Sequence, residues 1–300
     1  MEGWKDFLDE LGWLPPDLYQ FVRIAPGDPQ AAAIRTVLPR PDYPFYIALH
    51  PVTNAQYAHF LEAGDYAEEG LWSDFPKFAE DSQAMPGQTW GDEGLKWLKG
   101  MHEDRERSPD GLHVLPRFWN DPRFGIGRKS APVVGVTWYE ANAYCRWLRK
   151  HWDDPERPEA RDNPDLRPRL ARLPTEAEWV LAAGGEQPEG RYPWDAPGQV
   201  TKDETEILGR ANVDERSIGR TTPAGMYPSG RSQPYRLWDL AGNVWEWQAN
   251  YRDKDHDVLA LRGGAWYYSM NYARVANRFN GPPDFYWNFL GFRVVVLHSE

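Results

Sequence analysis

Few residues in this chain could support covalent or metal chemistry, and their spacing argues against both. The one cysteine is Cys145, which leaves no partner for an intrachain disulfide. Seven histidines (His50, His59, His102, His113, His151, His256 and His298) show no paired metal-ligand spacing. Asp253, Asp255 and Asp257 alternate like the start of a calcium loop. The glycine and distal glutamate that such a loop needs are missing, so a solvated charge run is expected. In "AGNVWEW", Asn243 and Glu246 offer hard oxygens for a structural calcium, and a buried hydrogen-bonding turn explains them equally well. Gly263-Gly264 carries no P-loop or dinucleotide fingerprint and reads as a close backbone approach at a strand.

The remaining chemistry is that of recognition. Between Leu261 and Val295 the chain reads "LRGGAWYYSMNYARVANRFNGPPDFYWNFLGFRVV". Its middle contains Tyr267, Tyr268, Ser269, Asn271, Tyr272, Phe279, Asn280, Gly281, Phe285, Tyr286, Asn288 and Phe289, the residue classes that dominate antibody paratopes. Tyrosine gives a large contact area for two side-chain torsions, and Ser, Asn and Gly give adaptable polar contacts. Helical periodicity and sustained alternation are both absent, so these aromatics are expected on an exposed binding surface rather than in a core. Trp266, Arg274, Arg278, Trp287 and Phe292 are expected to be framework.

Composition limits the partner. The 300 residues carry a net charge of −11, which disfavours a nucleic-acid backbone or an anionic membrane as the main partner. No run of about 18 apolar residues occurs, as a membrane-spanning helix would need. The N-terminus lacks the pattern of an ordinary signal peptide, so a cytoplasmic location is expected unless another route displays the protein on a surface. With 16 Trp, 15 Tyr and 12 Phe the chain must fold, and 26 Gly and 27 Pro predict many turns and irregular segments.

The elements that position the aromatic segment are partly legible. Residues 1–20 read as an amphipathic lead-in, and 21–300 as one domain. "FVRIAPG" predicts a first strand, and Phe45–His50 a second. Thr53 then caps a helix that Gly64 ends. Residues 65–130 read as an ordered excursion pinned by Trp72, Trp90, Trp97 and Trp119. "PVVGVTWYEANAYCRWLRKH" predicts a strand and then a helix, with Thr137 and Glu140 spaced as a capping box. Ala141, Tyr144, Cys145 and Leu148 form the apolar stripe of that helix. A polar linker spans Asp153 to Arg169. Thr175 and Glu178 then open a second helix, which Gly184-Gly185 stops. From Tyr192 to Val296 only short strands and turns are expected. The predicted class is α+β: two main helices against a small, twisted, mostly antiparallel sheet, with much irregular chain.

The segments "PVTNAQYAHFLEAG", "PVVGVTWYEANAYCRWL", "RLPTEAEW", "YPWD", "TTPAGMYPSG", "LWDLAGNVWEWQANY" and "LRGGAW…GFRVV" resemble, in order, the formylglycine-generating enzyme (sulfatase-modifying factor) family, from about Phe21 to Val296. The resemblance implies a C-type-lectin-like fold with long insertions. It also implies a choice among functions, because a fold hosts several. The positions of the enzymes' cysteine pair fall at about Tyr268 and Ala273, which cannot supply the sulfur for copper(I) or thiol chemistry. The sulfoxide synthases with this fold bind iron through a histidine cluster on an extra helical domain, and neither is found here. The third branch resembled is the variable proteins of diversity-generating retroelements, whose C-terminal segment is rewritten at template adenines. That segment runs from an RGG-Ser/Ala-Trp strand through an Arg-x-Ala-Asn-Arg patch to Gly-Phe-Arg, matched here by "RGGAW", "RVANR" and "GFR". The resemblance therefore implies a non-catalytic binding protein with a variable region at about 265–293, no cofactor beyond a possible structural calcium, and a protein or other macromolecule as ligand. Trp266 and Trp287 are set apart, because adenine changes alone cannot turn an Asn codon into Trp. A divergent oxidoreductase or sulfoxide synthase, and an inert regulatory relative, are the alternatives.

Overall fold

A computed structural model describes residues 19–100, 105–109, 111, 113–152 and 168–298. Most of the predicted lead-in and linker, and His102, lie outside the described residues.

In chain order the elements are β1 (Phe21–Ile24), β2 (Phe45–Ala48), α1 (Asn54–Leu61), α2 (Glu69–Trp72), β3 (Pro76–Phe78), β4 (Ala84–Thr89), α3 (Glu93–Lys99) and α4 (Trp138–Lys150). Then follow β5 (Pro168–Arg172), α5 (Glu176–Ala182), α6 (Glu204–Leu208), β6 (Trp245–Tyr251), β7 (Leu259–Arg262), β8 (Phe279–Gly281), β9 (Leu290–Gly291) and β10 (Val295–His298). Helices α1, α4 and α5 start with the same device. Thr53, Thr137 and Thr175 accept from the backbone of Gln56, Glu140 and Glu178, whose side chains reach back to the cap, so two end groups are satisfied at once. The predicted stripe of α4 is fully buried, and Trp138, Ala143 and Trp147 are buried too. Such a helix is enclosed on nearly all sides.

Two sheets form the scaffold. One is antiparallel with strand order β1-β2-β10-β5, so the last strand inserts between the N-terminal hairpin and β5. The other runs β4-β3-β6-β7-β8, with β9 beside β6. Its β3–β6 and β6–β9 pairs are parallel. The aromatic segment leaves β7, contributes β8 and β9, and returns into β10. Its two ends are thus anchored in different sheets.

Three local expectations are corrected. Residues 132–136 do not form a strand. Val133 donates to Val52 O (2.9 Å), but Gly135 at φ +75° breaks the extended run. Helix α1 ends at Leu61, before Gly64. A short helix, α6, lies in the region read as strands and turns, nucleated by Asp203 accepting from Glu206 N. The 65–130 excursion is anchored as expected: Trp72 and Trp119 are buried, Trp97 stacks on Trp72 (5.7 Å) and Trp90 packs on Trp138 (4.9 Å).

Two buried titratable groups face opposite ways in pH. Desolvation lowers His50 to about 4 and raises Asp239 to about 6. The raised Asp239 contributes stability below its ordinary value of 3.8 and loses it as pH rises through about 6. Asp239 sits at φ +55°, which asparagine tolerates, and accepts from Gly225 N (2.6 Å). Asp239→Asn is therefore expected to gain about 3 kcal/mol over wild type between pH 4 and 7.5, read by denaturant titration at both pH values. An unchanged difference would show that the carboxylate carries no burial penalty.

Candidate functional site: a clamped aromatic face

Three arginines hold the segment, Arg262 and Arg293 buried and Arg278 half-buried. Arg262, at the end of β7, donates to Glu176 Oε1 (2.6 Å), to Glu186 Oε1 (3.1 Å) and to Val275 O (2.9 Å). Arg278 joins it on Glu176, through Nε to Oε1 (2.7 Å) and through Nη2 to Oε2, and Asn250 Nδ2 donates to Oε2 (3.0 Å). Burial alone would raise the Glu176 carboxyl, but Arg262 and Arg278 outweigh it and hold it below the usual range. Arg293 closes the far end, giving Nε and Nη2 to the two oxygens of Glu246 (2.6 Å each) and further bonds to Ala48 O and Trp238 O.

These partners correct the calcium candidates. Glu246 is filled by Arg293 and the Trp179 indole (2.8 Å). Asn243, at φ +65°, braces a turn: Oδ1 accepts from Thr222 N (2.9 Å) and Asn212 Nδ2 (3.2 Å), and Nδ2 donates to Thr222 O (3.2 Å). The two side chains serve separate networks whose acceptors are occupied by protein donors.

Between the clamps the predicted site residues divide. Tyr267, Tyr272 and Trp287 are 60%, 48% and 47% exposed, three of the five exposed large apolar side chains among the described residues. Trp287 is thereby corrected from framework to surface. Its ring lies parallel to that of Phe289 (6.1 Å), and Phe289 lies parallel to Tyr267 (6.2 Å), giving a row of three rings. The centre of the row, Phe289, is 8% exposed and packs in the core. Phe289 is corrected from surface to framework, as is the buried Gly281, where a Cβ would come within 2.9 Å of Phe285 and 3.2 Å of Trp247. Tyr268 and Phe279 are half-buried on Trp245, at 5.8 and 5.5 Å. Asn271 and Asn280 are exposed, and Ser269, Phe285, Tyr286 and Asn288 are half-buried. Ser269 donates to Glu215 (2.7 Å), and Tyr286 covers the Arg105 guanidinium at 5.1 Å.

Of the remaining framework residues, Trp266 is buried and its indole donates to Asn288 O (2.9 Å), tying the start of the segment to its end. Phe292 is fully buried, and Arg274 lies over Tyr192 at 6.0 Å. Of the two residues laid on the enzymes' cysteine positions, Tyr268 packs on Trp245 and Ala273 sits against the Gly263-Gly264 turn. Gly264 has φ +74°, and a Cβ there would lie 2.9 Å from the Ala273 backbone, so only glycine permits this approach. The thiol of Cys145 is buried in α4, and burial pushes its pKa up, away from reactive thiolate.

Sequence reasoning missed the residues that support the face from elsewhere: Asp214, Glu215, Arg117, Phe118, Gly135 and Trp245. Each lies far along the chain from its partner, and no local pattern signals that the fold brings them together.

The family described as sulfatase-modifying factor enzyme 1-like domain matches residues 17–297. The inactive C-alpha-formylglycine-generating enzyme 2 of Bos taurus is 31% identical over 264 residues, covering 83% of this chain and 76% of that protein. The formylglycine-generating enzyme of Streptomyces coelicolor is 30% identical over 277 residues, covering 83% and 77%. Among solved structures, Treponema denticola variable protein 1 superposes with a TM-score of 0.53 at 20% identity, over 95% of this chain and 96% of that one. That likeness is one of fold.

Proposed function

The chain belongs to the sulfatase-modifying factor enzyme 1-like family, and from that premise we propose that it is a non-catalytic binding protein whose C-terminal segment is a diversified surface for a macromolecular ligand, as in the variable proteins of diversity-generating retroelements. The observation that carries this reading is that the segment is held by its main chain. Asp214 N donates to Tyr268 O (3.0 Å), Val275 N to Arg191 O (3.0 Å), Trp138 N to Pro283 O (3.0 Å), Gly135 N to Trp287 O (3.0 Å) and Trp245 N to Phe289 O (2.8 Å). Glu215 accepts from Met270 N (2.9 Å), and Tyr192 Oη donates to Met270 O (3.2 Å). None of these bonds depends on which side chain the segment carries at the exposed positions. Replacing Tyr267, Asn271, Tyr272 or Asn280 therefore leaves the backbone path intact, as a surface meant to vary requires.

A non-catalytic role is further supported by chemistry. The positions laid on the cysteine pair hold no sulfur, and an inactive relative is as similar as an active one. Exposed tyrosine and tryptophan on a fixed backbone suit binding, where a few aromatic anchors dominate.

Sequencing the DNA flanking the gene tests the diversification. A near-copy of the codons for Trp266–Arg293, differing chiefly where the copy has adenine, is expected close by, with a reverse transcriptase gene. Absence of any copy, together with an invariant 267–289 window between isolates, would overturn the reading in favour of a fixed site.

A further inference from the structure

We infer that the binding face has a concave anchor point, built half from scaffold and half from the C-terminal segment, that takes an aromatic side chain protruding from a protein partner. The inference rests on the binding role proposed above and adds where the partner is gripped and by what chemistry.

An open depression of about 540 Å³ is lined by Arg117 and Phe118 on one side and by Asp284, Phe285, Tyr286 and Trp287 on the other. That volume is in the range of sites that enclose a ligand group, about 300–1,000 Å³. Both walls are bonded to one residue. Arg117 N donates to Gly135 O (2.9 Å), and Gly135 N donates to Trp287 O (3.0 Å). Gly135 has φ +75°, and a Cβ there would lie 2.8 Å from the Phe118 ring. Glycine thus sets the spacing of the walls through main-chain bonds, so the depression is formed before anything binds, and preorganisation of this kind lowers the cost of association.

The lining selects the occupant. Four aromatic rings favour an apolar guest, and edge-to-face or offset packing favours an aromatic one. Arg117 and Asp284 place one cation and one carboxylate on the walls, so these charges offset each other and draw a guest of neither sign. A neutral aromatic ring can lay its face on the guanidinium and turn its positive edge to the carboxylate. The source is a protein rather than a free small molecule because the depression is continuous with the exposed row. Trp287 belongs to both, and the row runs on through Phe289 to Tyr267. A partner seated in the depression covers the row, burying the Trp287 and Tyr267 rings, which are otherwise about half in water.

The test is to pan a phage-displayed library of disulfide-cyclised peptides against the purified full chain and to measure the enriched peptides on variants. The expected result is a shared aromatic residue in the peptides, with Arg117→Glu, Phe118→Ser and Trp287→Ala each weakening binding about tenfold or more. Phe118 packs on Phe124 (5.9 Å), so Phe118→Ser is checked by melting. Arg117 and Trp287 are exposed, so their variants keep the test decisive if Phe118→Ser unfolds. Peptides that need Tyr267 and Tyr272 but are indifferent to Arg117→Glu and Trp287→Ala would overturn the anchor point and leave the binding role standing. Enrichment of peptides insensitive to all five substitutions, or of none, would overturn both.

Discussion

Glu176→Gln is expected to lower the unfolding free energy by about 3–5 kcal/mol, the cost of leaving buried charge without its partner. The side chains of Glu176 and Arg262 are fully buried, and that of Arg278 is 23% exposed. Gln preserves shape and one acceptor for Asn250, but it removes the charge that balances two guanidinium groups. Glu186 offers Arg262 a single longer contact of 3.1 Å, so compensation is incomplete. Urea denaturation reads the loss as a lower midpoint. Because Arg262 also carries Val275 O and Arg278 follows the RVAN run, protease cleavage within 274–278 should rise as well. A loss under about 1 kcal/mol, as for an exposed pair, would mean that the clamp does not hold the segment.

Phe289→Ala is expected to cost about 3–5 kcal/mol, as large-to-small changes of a buried aromatic do. Tyr267→Ala and Tyr272→Ala should each stay within about 1 kcal/mol of wild type, since surface changes seldom exceed that. The contrast matters more than either value, because Phe289 and Tyr267 lie ring to ring at 6.2 Å and differ in which of them reaches solvent. Thermal or chemical denaturation of the three variants decides it. Equal, large losses would show that the tyrosines are core, and equal, small losses that Phe289 is not.

The sequence showed where the aromatic segment begins and ends, and which helices stand beneath it. Capping boxes and glycine stops are local signals, so α4 and α5 were legible from Thr137, Glu140, Thr175 and Glu178 alone. The division of the segment was not. Phe289 and Trp287 are both aromatic, two residues apart in a turn-rich run, and their different partners, Trp245 N on the Phe289 carbonyl and Gly135 N on that of Trp287, are set by tertiary structure. Gly281 was read as an adaptable contact, whereas its lack of a side chain makes room for Phe285 and Trp247. Glu246 and Asn243 looked available to a metal because their partners, Arg293 and Thr222, lie 47 and 21 residues away. The short strands β3 and β4 escaped notice, and β8 and β9 fell among expected short strands without being placed, for the same reason: tertiary pairing decides them, not propensity.

The central claim is that the scaffold fixes the backbone of the segment while leaving its exposed side chains free to change. The most direct measurement is the thermal midpoint of a set of variants in which Tyr267, Asn271, Tyr272 and Asn280 are randomised together. Most members should melt cooperatively within about 2–4 °C of wild type, the shift of a loss near 1–2 kcal/mol in a chain of this size. If most members instead unfold or lose cooperative melting, these side chains hold the fold together, and the face is not a surface built to vary.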